Sequence, residues 1–261
     1  MIRVVKIGGR AQHAAAVIPA LASAWRVTPG ALVVVHGGGD EVTAMQRLLG
    51  RDPQFVDGRR VTTDDDIAIL RMTLSGVVNK RLVAALVADG VPAVGISGED
   101  AALLSAEPID AATMGRAGAP AHANVHLVRH LLHGGFLPVI SPLARDARSE
   151  SGDALNVNGD DAAAAIAVAL GAAELLLIAD VPGVLEGGDV ITSLDVGRMR
   201  ALVGAGTVTA GMIAKLEASN RALAAGVSSV RIGDLAAIAD MHRGTRIVVG
   251  AAPQAFTSIL A

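Results

Sequence analysis

Short runs of consecutive apolar residues, separated by longer amphipathic stretches, constrain this chain more than any other feature it carries. The runs are Ile2–Ile7, Ala31–Val35, Ala93–Ile96, Leu137–Ile140, Leu175–Ile178, Ser229–Ile232 and Arg246–Val249. Most are apolar at consecutive rather than alternate positions, the pattern of strands covered on both faces. Helices are expected between them, over Ala11–Trp25, Glu41–Leu49, Asp64–Asp89, Val125–His133, Asp160–Leu170, Asp195–Val203 and Gly211–Ala225. Strands that alternate with helices build a parallel sheet with crossover connections, so the chain reads as α/β. The run Asp64–Asp66 is expected to cap and charge the start of the longest helix. Gly134-Gly135 and Gly226 are expected to stop theirs in a left-handed conformation.

At 261 residues and 52% hydrophobic content, the chain can build one large domain or two closely joined lobes, with a boundary near Gly171. Gln54–Val61 and Leu103 to about His122 fit the alternation less well and read as hairpins or excursions beside the sheet, where lids and substrate pockets form. The formal charge of −3 does not suggest a non-specific grip on nucleic acid. Cysteine is absent, which excludes disulfides and thiol chemistry. The apolar stretch Ala162–Ala179 is interrupted by Glu174 and breaks at Gly171, so a helix followed by a buried strand is expected there, not a membrane span. With no basic leader before Ile2, the chain reads as soluble and cytoplasmic.

The chemistry is concentrated in glycine turns. His36-Gly37-Gly38-Gly39 follows one apolar run directly, and Gly8-Gly9 follows another, with Lys6 two residues before it. Two strand-to-helix turns that need glycine bring backbone N–H groups close to an anion, and a following helix adds its positive end. The simplest ligand for two such nests and an ammonium is a phosphoryl group. A His-Gly-Gly-Gly oxyanion loop of the esterase kind would require a G-x-S-x-G elbow, and none is present. Neither the phosphate loop G-x-x-x-x-G-K-[ST] nor a dinucleotide fingerprint after a strand occurs. Asn156 and Asn158 lie at alternate positions of an extended segment and share a face, just ahead of Asp160 and Asp161. Gly211-Met212-Ile213-Ala214-Lys215 places a lysine one turn into a helix. Asp180 and the turn that follows it stand at the carboxyl end of a strand, where α/β sheets bind ligands. The histidines His122, His126, His130 and His133 have no accompanying carboxylate and read as a solvated face, not a metal site.

In this order, Lys6–Gly9, His36–Gly39, Gly58–Thr62, Asn79-Lys80, Asn156–Asp160, Asp180–Gly183, Gly211–Lys215 and Gly244-Thr245 resemble the amino acid kinase superfamily over nearly the whole chain. The resemblance implies a three-layer αβα sandwich with an open, mainly parallel sheet. Residues 1–170 would bind an acyl amino acid and residues 171–261 would bind ATP. The implied reaction is ATP-dependent phosphorylation of the side-chain carboxylate of N-acetyl-L-glutamate to an acyl phosphate, on the route to arginine. An N-succinyl or carrier-linked substrate, or a non-catalytic metabolite sensor, stays open on the same fold.

By that resemblance Lys6 and Lys215 would clamp the transferring phosphoryl group. The amides of Gly9, Gly38 and Gly8 would neutralise its oxygens, and Asp160 would orient the lysines. Arg60 would fork onto the substrate α-carboxylate, with Gly38, Gly39, Asn156 and Asn158 completing that pocket. Asp180, Val181, Pro182, Gly183, Val184 and Leu185, with Thr207, Val208, Thr209, Gly211 and Met212, would shape the nucleotide site. Mg²⁺ would be held through the ATP phosphates, with no metal site of the protein's own. The hexameric relatives inhibited by arginine carry a helix ahead of the first strand, so a homodimer without that switch is expected, paired through Asp64–Asp89. The chain departs from the family's pattern at Arg10, Arg59, Thr63 and Glu99.

Overall fold

The computed structural model describes residues 1–56, 58–208 and 210–249. In chain order the elements are β1 (Arg3–Ile7), α1 (Val17–Val27), β2 (Leu32–His36), α2 (Gly39–Leu48), β3 (Phe55–Val56), β4 (Arg59–Arg60), α3 (Asp64–Leu70), α4 (Asn79–Ala88), β5 (Ala93–Ser97), β6 (Leu104–Pro108), α5 (Ala111–Met114), β7 (Ala117–Ala123) and α6 (His126–His133). They continue with β8 (Leu137–Ser141), β9 (Leu143–Asp146), β10 (Ala154–Val157), α7 (Gly159–Leu170), β11 (Glu174–Ile178), β12 (Leu185–Glu186), β13 (Asp189–Val190), β14 (Ser193–Asp195), α8 (Val196–Gly204), α9 (Ala210–Ala224), β15 (Ser229–Gly233) and β16 (Thr245–Val248).

The seven expected strands all form, and they join β14 in an eight-stranded sheet of order β14-β16-β15-β11-β1-β2-β8-β5. Every pairing in it is parallel except that of β15 with β16. β1 and β2 pair in the middle, with Ile7 opposite His36, so both glycine turns leave the same edge side by side. β2, β8 and β11 are buried along their whole length, as unbroken apolar runs require. The stretch Ala162–Ala179 divides into α7 and β11 around Gly171, which caps the helix in the left-handed conformation. No helix among the described residues is long and apolar enough to cross a membrane.

Several elements differ from expectation. The region Ala11–Trp25 is not one helix: a 3-10 turn covers Gly9–His13 and α1 starts at Val17. Asp180 accepts the Ala11 N–H at 3.1 Å and so holds the chain in the tighter turn. Asp64–Asp89 is interrupted by a π-helical segment, Arg71–Val78, between α3 and α4. Such segments re-aim side chains at functional sites; here Ser75 meets Ser141 at 2.7 Å, and Leu74 is turned onto Gly38. Thr63 is the N-cap of α3 and Asp66, the last of the acidic run, closes its capping box, while all three aspartates of the run lie in the charged first turn. The excursion from Leu103 is the antiparallel pair β6–β7, and with β9 and β10 it closes a four-stranded barrel. Gln54–Val61 holds the hairpin β3–β4. The two-stranded hairpin β12–β13 turns on Gly187-Gly188, both at positive φ, a pairing that favours a tight hairpin.

Candidate active site

Both glycine turns face one cavity of about 210 Å³. Its wall includes Lys6, Gly8, Gly9, Gly37–Gly39, Arg59, Arg60, Asn156, Asn158 and Asp160, with Val42, Leu70, Leu74, Ile109 and Pro142 on the apolar side. At Gly8 a Cβ would lie 2.6 Å from Lys6 Nζ, so only glycine leaves the ammonium room to fold over the turn. Gly9 has φ +57°, a left-handed conformation that glycine adopts without strain. The Gly37 N–H donates to Ile7 O at 2.8 Å and stitches the two turns together.

The second turn is braced from behind. His36 is fully buried; its Nδ1 lies 2.8 Å from the Gly37 carbonyl and its Nε2 3.1 Å from Asn79 Nδ2. Burial lowers the imidazole pKa to about 4 despite the opposing Gly37 contact, so the ring is neutral at pH 7. Nδ1–H then donates to Gly37 O while Nε2 accepts from Asn79.

Charge is gathered at the floor. Lys6 Nζ lies 2.8 Å from Asp160 Oδ1, and Lys215 Nζ lies 3.1 Å from both Asp160 oxygens. Lys6 comes from β1, Asp160 from the first turn of α7 and Lys215 from α9, so three elements meet on one carboxylate. Burial alone would raise the Asp160 carboxyl, but the two lysines overcome it and hold it at about 2. Burial lowers Lys215 to about 8, with Lys6 adding to the fall and Asp160 opposing it. Two ammonium groups against one carboxylate leave an excess positive charge beside a nest of amides, a receptor for anionic oxygens.

Arg60 lies at the other side of the cavity. It donates to Gln46 Oε1, to Gly39 O at 2.9 Å and to Thr43 Oγ1 at 2.7 Å, and its guanidinium stands 4.7 Å over the Phe55 ring. Gln46 in turn donates to Asp66 at 2.8 Å, so Arg60 is held by a chain of buried polar groups. Asn156 donates to Thr62 Oγ1 at 2.9 Å and lines the cavity. Asn158 lines it too, but its side-chain oxygen accepts the Asp160 N–H at 2.8 Å as the N-cap of α7. The cap of that helix is therefore Asn158, which leaves the side chains of both buried aspartates for their cations.

The expected nucleotide residues lie outside this cavity, around the carboxyl end of β11 and the start of α9. Asp180 faces the Gly9 turn, and the Val184 N–H donates to Thr245 Oγ1 at 2.8 Å. At Gly183 a Cβ would lie 2.7 Å from Val190 Cγ1, so the turn through Val181 and Pro182 packs closely before Leu185 enters β12. Thr207 and Val208 join α8 to α9, and Gly211 and Met212 open α9; Thr209 lies outside the described residues. Thr62 belongs to the motif Gly58–Thr62, whereas Gln46 and Leu74 carry no signal of their own in the sequence. Leu74 faces the cavity only because of the π-helical segment, which no periodicity foretells.

This cradle, on a sheet whose parallel centre runs β11-β1-β2-β8, places the chain in a family: it belongs to the amino acid kinase family, which matches residues 1–234. Among its relatives, acetylglutamate kinase of Chloroflexus aggregans is 40% identical over 249 residues, covering 95% of this chain and 96% of that one. Acetylglutamate kinase of Geobacillus kaustophilus is 42% identical over 201 residues, 77% of each chain. The crystal structure of smu.665 from Streptococcus mutans superposes with a TM-score of 0.84 at 32% identity, over 95% of this chain and 98% of that one.

Proposed function

We propose that this chain transfers the γ-phosphoryl group of ATP to the side-chain carboxylate of N-acetyl-L-glutamate, a step toward arginine. The observation that carries the reading is the pair Lys6 and Lys215 on Asp160, with Lys6 and Asp160 lining a cavity together with two glycine turns and Arg60. The acetylglutamate kinases at 40–42% identity support the choice of substrate.

A carboxylate oxygen attacks the γ-phosphorus, the bond to the β–γ bridging oxygen breaks, and ADP leaves. No general base is needed, because the acceptor carboxylate is already ionised at neutral pH. Catalysis of such transfers is positioning and charge stabilisation. Lys6 approaches from the acceptor side and Lys215 from the donor side, and Asp160 keeps both ammonium groups aimed at the space between. The amides of Gly8, Gly9 and Gly38 meet the equatorial oxygens, on which charge is spread. Arg60 engages the substrate α-carboxylate, a bidentate task that suits guanidinium. Gly38, Gly39 and Asn156 hold the rest of the substrate, and Asn158 presents Asp160.

Asp180–Leu185, with Thr207–Thr209, Gly211 and Met212, shapes the nucleotide site in the 171–261 half, and residues 1–170 hold the acyl amino acid. Mg²⁺ would be held through the nucleotide phosphates and would offset their charge. The protein works in the cytoplasm as a homodimer through the long helical region, where Met72, Val77 and Val87 are exposed. A hydroxamate assay of acyl-phosphate formation with N-acetyl-, N-succinyl- and free glutamate tests the reading: turnover should favour the N-acetyl substrate. Turnover of none of the three would overturn it.

A further inference from the structure

Asp160 has a neighbour with the same habit. Asp161 is equally buried and likewise holds two cations. Arg59 Nη1 donates to Asp161 Oδ2 at 2.7 Å, and Arg221 donates to Asp161 Oδ1. Successive residues of a helix point about 100° apart, so the two carboxylates work on different sides of one helical turn. Asp160 joins β1 to α9 inside the cavity; Asp161 joins β4 to α9 behind it. Lys215 and Arg221 are six residues apart on α9, about 9 Å along its axis.

Three facts make this second bridge more than a surface ion pair. Arg59 is the chain neighbour of Arg60, in a strand of two residues, so its position and that of the substrate-facing guanidinium move together. Arg59 lines the active cavity and also a second one, of about 540 Å³, between α7, α9 and β7. That second space is walled mainly by alanines of α7 and β7, so little apolar packing ties β4 to α9 there. The relation between the acceptor-side hairpin and the helix bearing Lys215 therefore depends on the ion bridge. A buried carboxylate that accepts from two guanidinium groups fixes where both must sit, because displacement of either cation costs one of its charge-assisted hydrogen bonds.

We propose that Arg59–Asp161–Arg221 is a positioning bridge that couples seating of the acyl amino acid on Arg60 to seating of Lys215 on the nucleotide. This rests on the functional reading given above. Seating a carboxylate on Arg60 settles β4, and Asp161 passes that settling to α9 in the helical turn that also carries Asp160. Coupling of this kind is reciprocal: each ligand raises the affinity of the other by the same factor.

The test is calorimetric titration of the purified protein with a non-hydrolysable ATP analogue and Mg²⁺, with and without saturating N-acetyl-L-glutamate. The wild type should bind the analogue roughly 5- to 20-fold more tightly when the amino acid is present, within the usual range of coupling between sites. Arg59→Leu and Asp161→Asn should each bring that ratio close to one, and the double variant should lose no more than either single. Arg59→Lys should keep part of the ratio, which a general loss of packing would not. Arg221→Gln reads the same bridge from α9, should a change at β4 or α7 impair folding. A wild-type ratio near one, or an unchanged ratio in Arg59→Leu and Arg221→Gln, overturns the bridge. Failure of the wild type to phosphorylate any of the three glutamates would instead overturn the functional reading, and the two outcomes are read separately.

Discussion

Of the buried carboxylates that sit between two cations in this protein, Asp160 and Glu174 stand at different places on the sheet and do different work. Asp160 lies between Lys6 and Lys215, where the glycine turns leave the carboxyl ends of β1 and β2. Glu174 opens β11 and lies between Arg3 and Arg231, whose Nε is 2.6 Å away. Around Glu174 the arginines are used up on backbone: Arg231 donates to the carbonyls of Asp240, Arg243 and Ala237, and Arg3 to those of Ile238 and Ala237. The excess charge is spent on pinning the 235–243 segment. Around Asp160 the excess charge borders a cavity and a nest of amides. A buried ion triad is structural when protein carbonyls absorb its spare donors, and chemical when an open space is left for them.

The sharpest way to break this comparison is to remove the cations. Lys6→Ala and Lys215→Ala should each lower kcat by roughly 10²–10³-fold, the cost of one transition-state donor, with little change in thermal midpoint. Near-normal turnover in both variants would deny the cradle its role. Glu174→Gln should do the reverse. It leaves the buried Arg231 and the half-buried Arg3 guanidinium groups without their anion and should cost about 3–5 kcal/mol in denaturant unfolding, while kcat of the folded protein stays close to wild type.

Smaller effects sharpen the picture within the site. Arg60→Lys should raise KM for the acyl amino acid about tenfold, the order of one lost charge-assisted hydrogen bond, and KM for ATP much less. Equal effects on both substrates would remove Arg60 from the acceptor pocket. The pH profile gives the mildest test. Lys215 titrates near 8 in the free protein, so kcat/KM for ATP should fall as pH rises through about 8 and the ammonium is lost. Its contribution to stability has the opposite sign. Its folded value lies below its ordinary 10.5, so between the two the unfolded chain binds more protons and this lysine favours folding increasingly as pH rises. Activity and the Lys215 part of stability should therefore diverge above pH 8. A flat kcat/KM to pH 9.5 would argue against a depressed Lys215.

The central sheet was legible because burial on both faces leaves its mark locally: β2 and β11 are apolar at nearly every position, whichever strands they pair with. The interrupted long helix was not. Its apolar spacing suits an uninterrupted helix, and only the demand that Leu74 reach Gly38 and Asn79 reach His36 reveals the π-helical turn. The barrel strands β9 and β10 are short and mixed in character, and each is stabilised by a partner distant in sequence. Arg59 illustrates the same limit at the site. In the sequence it stands out only as a departure from the family's pattern, and nothing local pairs it with Asp161, 102 residues away.

What the amino-acid sequence determined by itself was the strand order's raw material, the two glycine turns and the lysines flanking them. Each of these follows from short-range causes: periodicity, absence of a Cβ, or a charge near a helix start. What only the tertiary structure decided was the sharing of carboxylates. Asp160 collects Lys6 and Lys215 from β1 and α9, and Asp161 collects Arg59 and Arg221 from β4 and α9. The physical reason is that an ion pair depends on distance in space, and the fold sets that distance. Two adjacent aspartates, alike in sequence, were given separate partners by a turn of one helix.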